Sequence, residues 1–532
     1  MSETDANGNT TTYGYDNAGQ CTSITAPDGL TTGVVYDPCG RVSEVYIDTD
    51  SGDRIKVSYT YDAMGNVSTY TDELGNTTTY EYDLNCNVTK ITDSEGTVTT
   101  EYTYDCMGKI LQEKDASGIV VTYSYNKSDL VEKVSMTSPT GEEKTYTYTY
   151  DDMGRVLSVT DPSGIVSSQS YDSYGNVTDI VYPEGGGISY TYDDYGRVTE
   201  EKLSIGTSNT YEYNADSLLS QYTNGRGQET EYSYDAIGRI TSFSDELGTI
   251  SYTYDGNGNV LKTSETTKDG KTSTITRTYD CMNRVTSYTD YKGNTVKYGY
   301  DELGNLITLT YPGGEIVRYD YDKAGLLTTV TDEEGFVTSY SYDDLGRLHT
   351  TTKPDGSVET VTYDKLSRVT QSEVVGEDST LISRYTYVYD SWGNIVSTTY
   401  QDETEEGRTT TNSATSKGVT NSDGSTTVSM TYDSSNRMVT YNGEDVLYDD
   451  DGNMLYGPLD GVMTEFEYDC RNRLVRAGDT YYEYDAENVR TATETPEYRE
   501  EYITESVSQF SRVLVITREY KTEDKTDTEK YY

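Results

Sequence analysis

The side chains that could carry out chemistry are few in this sequence and poorly grouped. A single histidine, His349, stands in Gly-Arg-Leu-His-Thr-Thr. Any Ser-His-Asp or Cys-His nucleophile would have to use it. It follows a turn, lies on a strand, and is assigned to a strand surface. The six cysteines are Cys21, Cys39, Cys86, Cys106, Cys281 and Cys470; none form a C-x-x-C pair, and histidine partners for a mixed zinc site are missing. Cys106, Cys281 and Cys470 each directly follow a Tyr-Asp pair and so hold equivalent turn positions. Cys86 and Cys106 lie one period apart, where a disulfide competes with two free thiols; free thiols are the preferred reading. Carboxylates abound, and paired carboxylates can act as general acid and base. Here they recur at one turn position in unit after unit, as a structural role demands and a single active site does not. The densest acidic stretches, Asp48-Thr-Asp50-Ser-Gly-Asp53 and Asp449-Asp-Asp-Gly452, match neither an EF-hand loop ending in Glu nor the nonapeptide repeat of calcium β-rolls. Trp392, in Asp390-Ser-Trp-Gly393, suggests a sugar-stacking platform, as do the tyrosines. Its position is held elsewhere by Met64, Met107, Met153, Tyr174, Tyr195, Ile237, Leu303 and Leu345, and a turn residue folded against its own hairpin accounts for all of them. The sequence therefore nominates no catalytic, cofactor-binding or metal-binding residue, and a protein that is not an enzyme is expected.

What would position these side chains is a repeated hairpin. In Tyr146-Thr-Tyr-Thr-Tyr150, tyrosines at every second residue face one side of a strand and threonines the other. Asp151 and Gly154 end the strand: the aspartate bonds its own backbone two residues on, and the glycine accepts a positive φ. Val156-Leu-Ser-Val-Thr160 returns as a second strand and meets a second turn at Asp161-Pro-Ser-Gly164. The Tyr-Asp or Tyr-Asn mark recurs at Tyr150, Tyr171, Tyr192, Tyr213 and Tyr234, a step of 21 residues, and with small variations from Tyr15 to Tyr389. A fixed period of this kind denotes a repeat architecture.

The pattern Y-x-Y-D-x-x-G-[RN]-φ…D-x-x-G, with φ apolar, resembles the YD repeat of the Rhs family. That family includes bacterial polymorphic toxins, the C component of insecticidal Tc toxins and the shell of animal teneurins. The resemblance covers nearly the whole chain, in about twenty copies. It implies an all-β fold in which tandem hairpins form one long sheet coiled into a hollow, barrel-like shell. It also implies a non-enzymatic wall around a C-terminal toxin. The Asp- and Gly-rich core and variable toxin that end Rhs chains are not found here, so the cargo would be absent from this polypeptide. Cell-surface adhesion or carbohydrate binding is the alternative, and a truncated fragment without independent function a third reading.

Composition bounds the rest. With 41 basic and 92 acidic residues the net charge is −51, which argues against nucleic acid and anionic membranes as partners. The charge serves to keep a large exposed sheet soluble and its edges apart. Leu, Ile, Val and Phe make up less than about a fifth of the chain, which by itself would indicate disorder. The 57 tyrosines, set in period, overrule that indication and point to a sheet one layer thick with both faces partly wet. No stretch approaches an apolar membrane span, and the N-terminus, which begins inside a repeat, does not read as a signal peptide. The expected organisation is a regular array over 1–400, a Thr/Ser-rich loop over 401–427, tighter repeats over 428–495, and an end region over 496–532 whose acidic tail frays. Lengthened hairpins are expected near 46–56, 137–146, 263–276 and 371–384. A monomer is expected, with a toxin domain or a surface glycan as partner. Secretion or a cell-surface location follows from the resemblance alone.

Overall fold

The computed structural model describes residues 1–49, 54–183, 185–204, 206–402, 408–411, 430–433, 437–505, 512–522 and 525–531. Among these residues there are fifty β-strands and no helix, hence none long and apolar enough to cross a membrane. The first thirty-eight strands belong to one antiparallel sheet, and the others to sheets of three and nine. By internal contacts the chain divides into two compact units, Met1–Tyr148 with Lys297–Thr415, and Thr149–Val296 with Ser416–Tyr532.

Within each sheet a strand pairs with its neighbours in sequence. Val198–Leu203, for example, lies between Gly187–Tyr192 and Ser208–Tyr213. The alternation seen in the sequence sets the faces: Tyr211 stands opposite Tyr222, ring centroids 5.4 Å apart, and Tyr59 opposite Tyr70 at the same distance. In pair after pair the register shifts by one residue at the tyrosine before the turn, as between Thr191 and Tyr192 and between Glu212 and Tyr213. Beyond the bulge the chain closes in a three-residue hairpin loop that ends in a residue of the left-handed region. Gly196 takes the position with φ 78°, and Cys86 takes it at φ 65° without glycine's freedom.

The four lengthened hairpins are present as strands of seven to nine residues, among them Val131–Thr137 with Glu143–Tyr150 and Val369–Val375 with Leu381–Tyr389. Most strand side chains are half-buried, as a single-layer sheet requires. Full burial is local. In the first unit it gathers at Tyr298, Leu309, Tyr311 and Val317; in the second, at Ile250, Ile275, Tyr288 and Leu514. The loop expected over 401–427 falls largely outside the described residues; of its described part, Arg408–Thr411 is a strand against Ile395–Asp402. The charged tail, expected to fray, carries a strand, Thr526–Lys530, bonded to Arg512–Tyr520. Its Thr-x-Thr alternation supplies the pleat that net charge alone obscured.

Cys86→Gly relieves a left-handed residue that carries a β-carbon and is expected to raise stability by about 1 kcal/mol. Urea titration of the two proteins checks this; an unchanged or lower midpoint contradicts the strain argument.

Candidate functional site

The repeat unit is built around its first turn, the one after Tyr-Asp, and the turn at Asp193 shows every part. The Asp193 N–H donates to the Arg197 carbonyl and the Gly196 N–H to the Asp193 carbonyl, both at 3.0 Å. Oδ1 of Asp193 accepts the N–H groups of Tyr195 (2.9 Å) and Arg197 (3.0 Å), and Oδ2 accepts Arg197 Nε at 2.7 Å. The bonded guanidinium, with these N–H groups, holds the Asp193 carboxyl below the usual carboxylate range. Where Asn replaces Arg the bracket is kept, as in Asn176 Nδ2 to Asp172 Oδ2 at 2.8 Å. Arg197 also lies 4.5 Å over the ring of Tyr213, in the next repeat. The Tyr213 hydroxyl donates to the carbonyl of Val198 at 2.9 Å, beside the bulge opposite Tyr192. One motif thus closes its own turn and grips the following repeat.

First turns also meet second turns from distant parts of the same unit, hairpin tip to hairpin tip. In the first unit the Trp392 indole N–H donates to Glu142 Oε2 at 2.7 Å, with Lys144 Nζ 4.0 Å over its ring. Ser391 bonds Thr140 at 3.2 Å, and Leu74 packs against Gly346. The tips are not sealed: a cleft of about 650 Å³ remains, lined in part by Leu74, Asn76, Asp322 and Tyr340.

In the second unit the tips are joined by charge. Asp451 Oδ2 accepts Asn224 Nδ2 at 2.8 Å and Arg226 Nε at 2.5 Å, and Arg226 Nη2 reaches the Asp469 carbonyl at 2.7 Å. Arg471 donates to Asp245 at 2.6 Å and to Glu265 at 3.0 Å. Glu487 accepts Thr263 Oγ1 at 2.8 Å and Arg277 Nη1 at 2.7 Å, and Lys292 Nζ lies 2.7 Å from Glu501. Burial works against the Asp245 charge, but the Arg471 guanidinium holds its carboxyl low. Burial prevails at Asp485, pushing that carboxyl up to about 6 although it accepts the N–H groups of Val489 and Glu487. At Gly225 a β-carbon would lie 2.5 Å from the Asp450 carbonyl oxygen, so the two backbones touch there and only glycine fits.

This geometry, with its period, has known counterparts. Models of the teneurin YD-shell match residues 30–117, 95–190, 188–359 and 356–503, and an RHS-repeat model matches residues 1–32. The chain belongs to the teneurin YD-shell family. No curated protein matches the sequence. Among solved structures, this YD-shell chain is similar to the Tc holotoxin pore of Photorhabdus luminescens, with 13% identity, a TM-score of 0.52, and coverage of 98% of this chain and 40% of that one. It is also similar to the TcdB2-TccC3-Cdc42 structure, at 12% identity and a TM-score of 0.51, covering 98% of this chain and 38% of that one. At such identity the likeness shows a shared fold, and the chain spans about two fifths of the length of these neighbours.

Against this YD-shell fold the candidate side chains separate. His349 is exposed on its strand, its Nδ1 bonded to the Val361 carbonyl at 3.1 Å. All six cysteines are free, Cys86 and Cys106 among the exposed ones. Asp449 is spent on its own turn, accepting the N–H groups of Asp451 and Asn453, while Asp451 is spent on Arg226. Asp48 pairs with Arg54 at 2.7 Å; residues 50–53 of that acidic stretch lie outside the described residues. Among the described residues no group of three or more His, Cys, Asp and Glu is placed to hold a metal ion.

The reading of Trp392 and its equivalents requires correction. Six of its eight equivalents do not fold onto their own hairpins, whereas Leu303 and Leu345 are half-buried. Met64, Met107, Met153, Tyr195 and Ile237 project into solvent, and Tyr174 is 91% exposed. In these six the third turn position sits at the hairpin tip and is turned to solvent, and Trp392 is covered because another tip docks on it. Sequence reasoning also missed Arg226, Asp245, Arg277 and Glu487. The one available signal was charge at the third turn position in Asp451, Arg471 and Glu487, a position uncharged in most other repeats, although Asp216 shares the charge and stays exposed.

Two consequences can be measured. Gly225→Ala forces the backbones at the second unit's tip contact apart and is expected to cost about 1–3 kcal/mol; equal urea midpoints for the two proteins would refute the close approach. Because Asp485 titrates higher in the fold than in the unfolded chain, its contribution is full below about pH 4 and lost as pH rises through about 6. Asp485→Asn is therefore expected to stabilise the protein at pH 7.5 by up to about 3 kcal/mol, with the gain vanishing near pH 4.5. A gain that is independent of pH would remove Asp485 as its source.

Proposed function

We propose that this chain is a wall segment of a non-enzymatic container, of the kind that encloses a toxic polypeptide until delivery. The observation that carries the reading is the docking of first turns on second turns within each unit. A hairpin ribbon that meets itself tip to tip builds a continuous wall several hairpins high, which a flat adhesive sheet has no need to do. The toxin-complex neighbours support the same reading by fold. The cargo would be a polypeptide supplied from outside the residues considered. The wall's own role would be to exclude proteases and keep that cargo from folding prematurely or escaping. A surface rich in ionised carboxylates suits it, since the wall stays hydrated while its backbone edges repel other chains. On family grounds alone we place it in the secreted or cell-surface fraction.

Small-angle scattering of the purified chain, with negative-stain images, tests the proposal. A compact particle with a low-density centre is the expected result. An elongated or filled particle would overturn the container and leave adhesion, with glycan binding as the property to assay next.

A further inference from the structure

Within the second unit the third position of a first turn meets two fates. In turns beginning at 151, 172, 193 and 235 it is Met153, Tyr174, Tyr195 or Ile237, all turned to solvent. In turns beginning at 449, 469 and 485 it is Asp451, Arg471 or Glu487, with side chains only 4%, 8% and 17% exposed. Each charged tip meets its opposite: Asp451 faces Arg226, Arg471 faces Asp245 and Glu265, and Glu487 faces Arg277. One hairpin further on, Glu501 faces Lys292. Read along the chain, the docked row runs negative, positive, negative, negative, and the receiving row positive, negative, positive, positive.

The tip contact has few other means of choosing its alignment. Neighbouring strands are aligned by a backbone ladder, whereas the tips meet mainly through side chains. The hairpins present similar turn tips one after another, and among the contacts described above only the close approach of Gly225 to the Asp450 carbonyl selects by backbone shape. Buried ion pairs are weak sources of net stability, because desolvation offsets their attraction, but a buried charge left unpaired or set against its like is heavily penalised. Fixing alignment is the best attested use of such groups.

We infer that the charges at the third turn position form a code that fixes which receiving hairpin each docked turn occupies. A slip of one hairpin forward sets Asp451 against Asp245 and Glu265, and Arg471 against Arg277. A slip of one hairpin back sets Arg471 against Arg226, and Glu487 against Asp245 and Glu265. Either shift buries two sets of like charges. The inference concerns alignment of the ribbon on itself and stands whether or not the wall encloses a cargo.

The test uses the full chain with a photo-cross-linking side chain at position 470, next to Arg471. Cross-links to 245–248 report the native alignment, and cross-links to 275–279, where a forward slip would set Arg471, a slip of one hairpin; residues 224–228 are not used, since Arg226 already reaches the Asp469 carbonyl in the native alignment. Arg277→Glu or Glu487→Arg alone is expected to lower the native cross-link about tenfold, and the two together to restore it, because like-charge juxtaposition is relieved only in the exchange. A neutral variant, Asp451→Asn with Arg471→Gln and Glu487→Gln, keeps the shape and much of the hydrogen bonding. It is expected to yield cross-links at both sites. The inference is overturned if the neutral variant cross-links at 245–248 alone, or if the exchange recovers no more native cross-link than the single reversals do.

Discussion

The bond on which this structure depends most is a tyrosine hydroxyl donating to a backbone carbonyl one repeat earlier. A single-layer sheet of short strands has little core, so each hairpin must be fastened to the one before it. The bulge before every first turn interrupts the ladder, and the carbonyl beside it is taken by the next tyrosine: Tyr192 to Val177, Tyr213 to Val198, Tyr234 to Leu219. The turn aspartate and the arginine or asparagine after the glycine complete the attachment, since the side chain that braces the aspartate also lies against that same tyrosine when it is arginine. The repeat is thus a set of nearest-neighbour couplings, and stability should accumulate by repeats in the way of other one-dimensional arrays. Burial contributes locally, at clusters such as Ile250, Ile275 and Tyr288.

A second constraint follows from the first. A ribbon fastened only to its sequence neighbours has two long rows of hairpin tips with no ladder to offer. Where tips meet, the contact must be made by whatever the turns present. Turns are polar because aspartate, asparagine and glycine are what a tight loop requires, so the contacts are polar too. Trp392 donates to Glu142, and Arg226 binds Asp451 together with the carbonyl of Asp469. Several of the receiving side chains, Glu142, Lys144, Thr263 and Arg277, stand on lengthened hairpins, whose extra residues carry them toward the docked row.

The difference between what could be read from the sequence and what could not falls along the same line. Strand positions, turn chemistry, the left-handed fourth residue and the lengthened hairpins were all legible, because each is set within one or two periods of the chain. The docking of tips was not. Met153 and Trp392 hold the same place in the same motif, and only a partner roughly 250 residues away in sequence, Glu142, separates the exposed residue from the covered one. A one-dimensional period predicts what repeats; it carries no information about which distant repeats will touch. Chemistry was legible mainly as a scarcity of grouped residues; in the structure the turn aspartates and the acidic stretch at 449–451 are engaged in holding the fold.

Asp485 shows how the two constraints meet in one residue. Its carboxylate has the usual turn duty, accepting the N–H groups of Glu487 and Val489, but its tip is pressed among Glu487, Arg277 and the buried Tyr288. Arg277 is already committed to Glu487, so Asp485 gains little from it and loses its water. Comparable turns left in solvent, such as that of Asp193, hold their carboxylates low at no such penalty. The docked turn therefore retains a residue selected by loop geometry in a place where its charge is unfavourable. This is the expected cost when one repeated motif must serve both as an exposed loop and as a buried joint. It also explains why the correction is made at the third position, whose side chain the loop itself does not dictate and which stands at the tip that docks.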